Sequence, residues 1–508
     1  MQHIRIWYVV QLLLNITVSV VVNTANVCQY MQCTEDDTKL TLQFNVTMWE
    51  AFSEQPNAAF NIGSWNWSTL DPLVQKNRTS EVVFNGFDFP HIDSLQGHQS
   101  VTALNLDNNQ ITTVEEEAFA NFKNLVSLSL RRNMITIVRD YVDSPNMLQY
   151  LDLSYNWIED IKGLRTFMLP HLTYLNLSHN RIASVQSELS KLKALDILDL
   201  SHNAIKKDGK PFILPKNLSQ LLLSHNELTT WPFAYVPETL TVLSLSFNQI
   251  DFTQEATSVR SLDLSSNRLA SFCSECFPAV EELDLSGNYF EAFPQFSNRT
   301  STVRKISFNR MPNLRIIKRS DFTEIEEHLH ELEVSFCPRL STIESNAFID
   351  LKELKRLDLS FNVLQQVPEN MINWNRLEHG VDLQGNPINC NCSMQWLVDR
   401  VIPAMHARRE LHKLFPKLRC AQPPMYKDYL IVHLTLHENL LCRKYREMDL
   451  PGMETVVQSM KEHRQMQVVR AQKIILVFLI IGIVALSCYL AYLKLTIPRH
   501  TVRPLYYQ

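Results

Sequence analysis

Three histidines recur at one position of a repeating pattern, and their type and spacing suit proton chemistry. His179, His202 and His225 each stand at the centre of a Ser-His-Asn tripeptide. If each tripeptide ends a short strand of one sheet, the imidazoles stack about 5 Å apart. Imidazole titrates near neutral pH, so the row could form a pH-sensitive or ligand-contacting strip. The alternative interpretation is that Ser-His-Asn is simply a turn that the pattern tolerates.

Carboxylates form a second recurring set on the same predicted strands. They lie between the paired leucines of the pattern, at Asp152, Asp199, Asp263, Asp284, Asp358 and Asp382. A discontinuous acidic column of this kind could attract a basic partner. Leu-Asp-Leu-Ser is also a very common filling of such a pattern, so the column could equally be structural. The predicted ligand face consists of Asp152, His179, Asp199, His202, His225, Asp263, Asp284 and Asp358.

The cysteines suggest structural chemistry rather than redox or metal chemistry. Cys273 and Cys276 are separated by two residues and predict a local disulfide or two free thiols, since a redox site would need a βαβ context. Zinc would need a second ligand pair nearby, and none is visible in the sequence. Cys28 and Cys33 predict a small disulfide loop. Cys337 is predicted to be a buried thiol, with an intermolecular disulfide as the alternative.

The composition argues against several classes of function. The net charge is −5 and no long basic run occurs, which gives no reason to expect a nucleic-acid partner. The chain has only 10 glycines and contains no phosphate-binding or nucleophile motif, so we expect no catalytic site, cofactor or metal. An enzyme would need a convergent nucleophile, base and pocket, which this sequence does not offer.

The element that must position these side chains is a repeat. Units of the form LxxLxLxxNxL recur with a period of about 23 residues, which is the range of leucine-rich repeats. Each unit supplies one strand whose leucines point inward, and stacked units bury that face together. We predict an α/β leucine-rich-repeat solenoid of about thirteen strands. It has a curved parallel sheet on the concave face, a mostly irregular convex side and disulfide-bonded caps.

One asparagine column fixes the register of the units. It comprises Asn109, Asn133, Asn156, Asn180, Asn203, Asn226, Asn248, Asn267, Asn288, Asn362 and Asn386. The amide is predicted to hydrogen-bond the backbone of its own coil and the next one, which satisfies groups that would otherwise be buried unpaired. Met311 and Cys337 take this position in two later units, and each is followed by proline.

The N-terminal region predicts export. Residues 1–25 form a predicted signal peptide with an apolar core from Trp7 to Val22, a signal anchor being the alternative. Acceptor sequences for glycosylation support the same route, at Asn45, Asn66, Asn77, Asn176, Asn217, Asn298 and Asn391. A glycan on Asn176 would obstruct part of the concave face, which would direct a ligand to Gln220–Glu282 or the rim. Residues 26–80 are predicted to cap the repeat region, 81–388.

The C-terminal region predicts a membrane anchor. Residues 389–442 form a cysteine-rich flank, 443–473 a helical stalk, and 474–493 a transmembrane helix, because about 20 apolar residues span a bilayer. The signal peptide and the acceptor sequences place the N-terminus outside. Residues 494–508 are then a cytoplasmic tail too short for a signalling domain. The predicted location is the plasma membrane, with a single-pass type I topology.

The flank also carries a family resemblance. Repeats followed by NPxxCxCxxxWL resemble extracellular leucine-rich-repeat proteins with a cysteine-rich C-terminal flank. That resemblance implies the disulfides Cys390–Cys420 and Cys392–Cys442. The EVVFNG strand and the helical segment after the flank resemble the transmembrane members of the insect leucine-rich immune proteins. This second resemblance implies recognition of pathogens or of complement-like proteins.

These observations lead to two hypotheses about function. One is a cell-surface receptor or co-receptor that binds a protein or another macromolecular ligand through its solenoid, in innate immunity if the insect resemblance holds. The alternative is a cell adhesion molecule. The expected partners are a protein ligand or co-receptor and the plasma membrane, and assembly as a homodimer or heterodimer is left open.

Overall fold

The computed structural model describes most of the repeat region and its flank. The described residues are 32–36, 39–43, 81–85, 91–92, 101–115, 118–138, 147–162, 164, 169–185, 189–207, 211–253, 258–297, 302–374, 380–407, 417–436 and 442. Residues 1–436 form one compact unit and 437–508 a second, within which only Cys442 is described.

The repeat units assemble into one large sheet, as the leucine pattern predicts. The sheet has 16 strands, and every neighbouring pair within the repeat region is parallel. Each strand is short because only the central part of the unit is extended. The strands of the repeat are β3 Glu81–Asn85, β5 Ala103–Asn105, β7 Ser127–Ser129, β8 Tyr150–Asp152, β9 Tyr174–Asn176, β10 Ile197–Asp199, β11 Gln220–Leu222, β12 Val242–Ser244, β13 Ser261–Asp263, β14 Glu282–Asp284, β15 Lys305–Ser307, β17 Glu331–Glu333, β19 Arg356–Asp358 and β20 Gly380–Asp382.

The register of the sheet places equivalent residues side by side. Leu151 pairs with Leu175, which pairs with Leu198, and all three side chains are fully buried. Their neighbours along each strand point to the other side and form the exposed face of the sheet. A residue type that recurs at one position of the unit therefore forms a continuous column in space.

The N-terminal end carries a hairpin that the sequence pattern did not reveal. Strands β1 (Gln32–Asp36) and β2 (Lys39–Gln43) are antiparallel, and β2 joins β3 in parallel. This hairpin extends the sheet beyond the first repeat. The predicted disulfide partner Cys28 lies outside the described residues, as do the predicted signal peptide and the acceptor sites Asn45, Asn66 and Asn77.

The opposite side of the solenoid is irregular, as predicted. It contains the small parallel pairs β4 (His91–Ile92) with β6 (Thr113–Val114) and β16 (Ile316–Ile317) with β18 (Thr342–Ile343). Its helical turns are 3₁₀ helices at Leu189–Lys191, Ser274–Cys276, Arg319–Phe322 and Glu369–Met371. Large rings such as Phe119, Phe122, Trp231 and Phe277 are almost fully buried. They fill the space between these turns and the sheet.

The asparagine column joins neighbouring coils, and Asn156 shows how. Its Nδ2 donates to the carbonyl oxygens of Leu153 at 3.0 Å and Ser154 at 3.3 Å in its own coil, and to Leu130 at 2.9 Å. Its Oδ1 accepts the N–H of Ile135 at 3.0 Å. Leu130 and Ile135 belong to the preceding coil, so the prediction of the next coil was wrong. The backbone groups that face the side-chain amide, and that would be unpaired without it, belong to the preceding coil.

Two of the described coils replace the ladder asparagine, and in both a proline follows it. In most other coils the residue after the asparagine donates its N–H to the preceding coil, as Trp157 does to Ile135 at 2.9 Å, whereas Pro312 and Pro338 have no N–H. Cys337 instead accepts the Met311 N–H on Sγ at 3.4 Å and donates its own N–H to Asn362 Oδ1 at 2.8 Å. Cys337 is free and fully buried, which raises the pKa of its thiol to about 11. The prediction of a buried thiol is confirmed.

The C-terminal flank closes the last coil. Cys390 and Cys420 form a disulfide, the pairing that the resemblance implied, next to strands β21 (Ile388–Asn389) and β22 (Cys420–Gln422). Trp396 packs on Trp374 with ring centroids 5.3 Å apart. The helical elements are 3₁₀ turns at Cys392–Met394, Pro424–Tyr426 and Ile431–Leu436, a π-helix at Leu397–Val401 and the α-helix α1 at Ile402–Ala407.

The remaining cysteines and the predicted anchor complete the description. Cys273 and Cys276 form a local disulfide, and Cys392 and Cys442 are each disulfide-bonded as well. Within the part of the chain that the structure describes, no helix has the length and apolarity to cross a membrane. The predicted stalk, transmembrane helix and tail, 443–508, lie outside that part.

Candidate functional site

A continuous stack of five rings runs along one edge of the sheet. Tyr155, His179, His202, His225 and Phe247 contact one another in that order, with centroids 3.9, 4.0, 4.1 and 4.1 Å apart and nearly parallel planes. We call these five residues the ring strip. The predicted histidine row is therefore present, and it is closer packed than the expected 5 Å.

The backbone places each ring of the strip. Every member directly precedes a ladder asparagine and has a positive φ, from 52° at Phe247 to 56° at Tyr155. This conformation is uncommon for residues other than glycine. Each member donates its N–H to a carbonyl of the following coil, as His179 does to Ser201 at 2.9 Å. The column is thus locked coil to coil, and rings at this position in neighbouring coils are brought face to face.

Sequence analysis missed the two ends of the strip. Tyr155 and Phe247 occupy the same position as the histidines, in Ser-Tyr-Asn and Ser-Phe-Asn. Both residues directly precede a ladder asparagine. They stand out once the residue before each asparagine is compared for an aromatic ring and not only for an ionisable group. Tyr155 is 37% exposed and Phe247 46% exposed, so the strip presents ring edges to solvent.

The electrostatics of the strip differ from the predicted titration near neutrality. Partial burial, the first cause, lowers the pKa of both His179 and His202 below the ordinary imidazole value. For His202 the two neighbouring imidazoles lower it further, because adjacent charges 4 Å apart repel. The lowered pKa favours the uncharged form of these two rings, so the centre of the strip is a polarisable surface with nitrogen atoms at its edge.

Arginines cover the first ring of the strip. The guanidinium carbons of Arg131 and Arg132 lie 4.9 and 5.3 Å from the centroid of Tyr155. Such cation–π contacts stabilise by about 0.5–1 kcal/mol at exposed sites. Arg132 occupies the same unit position as the strip residues, so an arginine there can reach over a ring in the neighbouring coil.

A tyrosine pair accompanies the strip on the exposed face of the sheet. Tyr150 and Tyr174 stack with centroids 4.4 Å apart, and burial raises the pKa of both hydroxyl groups. Asn176, one of the predicted glycosylation sites, lies beside them and its Nδ2 is 3.4 Å from the Tyr174 hydroxyl. A glycan there stays a prediction, as it does at the exposed Asn217 and at Asn391. Asn298 lies outside the described residues.

The acidic column has a structural task. In each case Oδ1 accepts the backbone N–H two residues later, for example Ser154 to Asp152 at 2.8 Å and Ser201 to Asp199 at 2.9 Å. The same bond occurs at Asp263, Asp284, Asp358 and Asp382. Burial raises the pKa of Asp152, Asp284 and Asp382 above the ordinary value. These bonds favour the structural interpretation of the column over a docking site for basic partners.

Further along the sheet, charged side chains pair on the exposed face of the strands. Arg260 pairs with Glu281 at 3.0 Å, Lys305 with Glu331 at 3.9 Å, and Arg356 with Glu333 at 3.7 Å. We call these three pairs the ion-paired face. Each pair joins neighbouring coils, so the charges within these three pairs neutralise one another. Among the described residues no cluster of His, Cys, Asp or Glu has the arrangement of a metal site.

Comparison with known proteins agrees with the repeat. Family profiles described as leucine rich repeat match residues 99–158, 170–228 and 236–251, and a two-copy profile matches 146–186. Human fibromodulin is 30% identical over 269 residues, which cover 46% of this chain and 69% of fibromodulin. Mouse CD180 antigen is 25% identical over 378 residues, which cover 66% of this chain and 53% of that protein.

One solved structure extends the comparison to the fold. The mouse RP105/MD-1 complex matches with a TM-score of 0.57 at 18% identity, covering 79% of this chain and 63% of that chain. The chain thus spans about half the length of CD180 antigen and somewhat more of the solved chain. These comparisons indicate no catalytic family. The stacked strands, the asparagine ladder and the similarity to fibromodulin together show that this chain belongs to the leucine-rich-repeat family.

Proposed function

We propose that this protein is a cell-surface receptor or co-receptor that binds a protein partner through the ring strip. The observation that carries the proposal is the row of five stacked, solvent-facing rings from Tyr155 to Phe247. Aromatic side chains are enriched where protein interfaces concentrate their binding energy, because they bury a large area at a small cost in conformational entropy.

The strip is prepared for binding before a partner arrives. Each ring is held by its neighbours and by a backbone locked to the next coil, so little rotamer freedom remains to be lost. The lowered pKa of His179 and His202 favours their uncharged form, so a partner can cover them without desolvating a full charge. A rigid, uncharged ring surface of this kind suits a protein partner that supplies its own apolar or aromatic side chains.

The comparisons and the sequence support the cellular setting of the proposal. CD180 antigen is among the relatives, and RP105 was solved in complex with a protein, MD-1. The predicted signal peptide, 1–25, and the predicted transmembrane helix, 474–493, are the basis for a type I plasma-membrane location. A role in innate immune recognition is the finer part of the proposal, and it rests on the sequence resemblance to insect immune proteins.

Proximity biotinylation on living native cells tests the proposal. The labelling enzyme is fused after residue 25, and the parent chain is compared with a double variant, His202→Ala with Phe247→Ala. The matched control is Phe336→Ala with Phe361→Ala, which removes an exposed ring pair stacked 4.6 Å apart outside the strip. All three chains must reach the cell surface in equal amounts.

The proposal expects one dominant labelled protein with the parent and the control. The strip variant should lose it, with binding weakened more than about fivefold, since an interface hot spot contributes over 1 kcal/mol. Equal labelling by all three chains would contradict the role of the strip. Self-association of cells or beads that carry this chain, without another labelled protein, would favour the adhesion alternative. A labelled set of soluble defence proteins would support the immune role.

A further inference from the structure

The ring strip has an open end at Phe247. Among the residues that the structure describes, Phe247 stacks on His225 and on no second ring, and it is 46% exposed. The next two residues at the same unit position are Ser266 and Gly287, which carry no ring, and the third is Arg310. The face of Phe247 that points along the solenoid toward Arg310 therefore has no ring against it.

The other glycine at this unit position, Gly385, shows how a ring can cover a position that has no side chain. A Cβ added to Gly385 would collide with the ring of Phe361 from the preceding coil, whose Cε1 would lie 2.8 Å away. At Gly287 an added Cβ would instead meet Ser266, with Oγ at 3.1 Å and backbone atoms at 3.4 Å. One glycine is thus covered by a ring of the chain itself, and the other is not.

The open stretch is long enough for a ring from another molecule. Consecutive coils are hydrogen-bonded at this position, from Phe247 to Ser265 at 2.9 Å and from Gly287 to Asn309 at 2.7 Å. Three strand spacings of about 4.8 Å separate the backbone of Phe247 from that of Arg310, or about 14 Å in all. Because the strip stacks its rings 3.9–4.1 Å apart, one or two planar groups fit between them.

The charge at the far side of this stretch favours an anion. Arg310 is exposed, and no described residue forms an ion pair with it. Glu333 Oε2 lies 3.5 Å from the Nδ2 of the preceding residue, Asn309, and Asp263 and Asp284 on the sheet accept the N–H groups of Ser265 and Ser286. At the other end of the strip Arg132 already lies over Tyr155, so an arginine at this position can pair with a ring.

We infer that the partner inserts an aromatic side chain, flanked by acidic residues, between Phe247 and Arg310. The inserted ring continues the stack on Phe247 over Ser266 and Gly287, and a neighbouring carboxylate meets the Arg310 guanidinium. The inference rests on the proposed function and identifies the chemistry that the partner must present. It also agrees with the predicted glycan at Asn176, which would leave this end of the solenoid accessible.

Three matched peptides test the inference on the purified, immobilised full-length chain. Acetyl-Glu-Tyr-Glu-amide is the probe, acetyl-Glu-Leu-Glu-amide lacks the ring, and acetyl-Lys-Tyr-Lys-amide reverses the charge. Each is presented as a multivalent fluorescent conjugate, so that weak binding becomes measurable through avidity. We expect the tyrosine probe to bind roughly 2- to 12-fold more tightly than the leucine peptide, the range for an aromatic pair.

Variants of the chain locate the binding. Ser266→Phe fills the place directly against Phe247 with the chain's own ring, at a unit position where Phe247, Phe336 and Phe361 already adopt positive φ. It should reduce binding of the tyrosine probe at least about tenfold. Asn108→Phe is the matched control, because it adds an exposed ring at the same unit position far from the gap. Arg310→Glu gives an independent test that does not alter packing, and it should also weaken the probe.

The outcomes are decisive in both directions. Binding that Ser266→Phe and Arg310→Glu lose and Asn108→Phe keeps supports the inference. Equal binding by Ser266→Phe and parent, preference for the lysine peptide, or no binding of the tyrosine probe to the parent would overturn it. If the natural partner still depends on His202 but not on the gap, the inference falls while the proposed function stands. If the tyrosine probe binds in the gap and no natural partner depends on the strip, the proposed function falls while the binding chemistry inferred for the gap stands.

Discussion

Between Tyr150 and Phe247 exposed rings stack in a continuous row, whereas between Arg260 and Arg356 exposed side chains pair mainly as ions and the stacked ring of Phe336 is an exception. The backbone is the same in both stretches, with parallel strands in one-to-one register. The difference therefore arises from the side chains alone. Rings that stack on one another keep their edges exposed to a partner, while paired charges satisfy one another and lose hydration if a partner covers them.

The two stretches also differ in the ladder beneath the surface. Asn156 to Asn248 supply amides with several backbone bonds each, while Met311 and Cys337 interrupt the ladder among the ion-paired coils. The ring strip thus stands on an uninterrupted stretch of the ladder. Asn267 and Asn288 continue the ladder into the first ion-paired coils, and the interruption begins at Met311.

The largest expected effect comes from removing a ladder amide beneath the strip. Asn226 donates to Leu200 and Leu223, each at 3.0 Å, and accepts from Ile205 at 3.0 Å. Asn226→Ala leaves these buried groups unpaired and should lower the free energy of unfolding by about 3 kcal/mol. Calorimetric thermal unfolding of the full chain measures the loss.

Cys337→Ala is the matched change in the other half. Its thiol accepts one N–H at 3.4 Å and lies 3.7 and 3.5 Å from the carbonyl oxygens of Phe308 and Ser335, and these sulfur bonds are weak, so the loss should be only about 1 kcal/mol. Equal destabilisation by the two substitutions would show that the ladder stabilises both halves alike, and the comparison would lose its basis.

A smaller effect concerns pH and is confined to the strip. Since folding lowers the pKa of His179 and His202, the unfolded chain takes up protons first as the pH falls. The full stability is present above about pH 6.5 and decreases as the pH falls through the lowered values. Both rings remain largely solvated, so the loss should stay below about 1 kcal/mol.

Unfolding temperatures at pH 7.5 and pH 5.5 check this expectation. His179→Gln with His202→Gln keeps hydrogen-bonding capacity without titrating, and it should reduce the difference between the two temperatures. A parent chain whose imidazole proton signals titrate above pH 6.5 would show that the stack does not hold the rings uncharged.

The smallest effect is expected on the ion-paired face. Lys305 and Glu331 are 3.9 Å apart and both are well exposed, so a double-mutant cycle with alanine should give a coupling of about 0.5 kcal/mol or less. The measurement is the unfolding free energy of the two single variants and the double variant. A coupling well above 1 kcal/mol would mean that the ion pairs, too, organise a rigid surface.

Much of the fold could be predicted from the sequence, because residues that recur with a fixed period along the chain line up as a column in the structure. Leu151, Leu175 and Leu198 recur at one unit position, so their burial and register were predictable. The sequence did not predict which neighbouring coil Asn156 bonds, because similar units precede and follow it. Only the geometry of the turn selects the preceding coil. The hairpin Gln32–Gln43 has no repeat signal at all.

The candidate site was predictable in part. The histidines drew attention because they titrate, but Tyr155 and Phe247 stack in the same way and were overlooked. The acidic column left two interpretations open in the sequence, and the bonds of Asp152 and its equivalents to their own backbone favour the structural one. A side chain is free to contact a partner only if it does not already bond the backbone two residues away. The amino-acid composition does not show such bonds.

Hydroxyl-radical footprinting of the full-length chain, with and without the captured partner, tests the central claim most directly. Side-chain oxidation reports solvent exposure, and both halves contain exposed rings, with Phe336 at 53% and Phe361 at 45% as internal references. The account predicts that the partner slows oxidation of Tyr155, His202 and Phe247 severalfold and leaves Phe336 and Phe361 unchanged. Protection of Phe336 and Phe361 with an unprotected strip would contradict it.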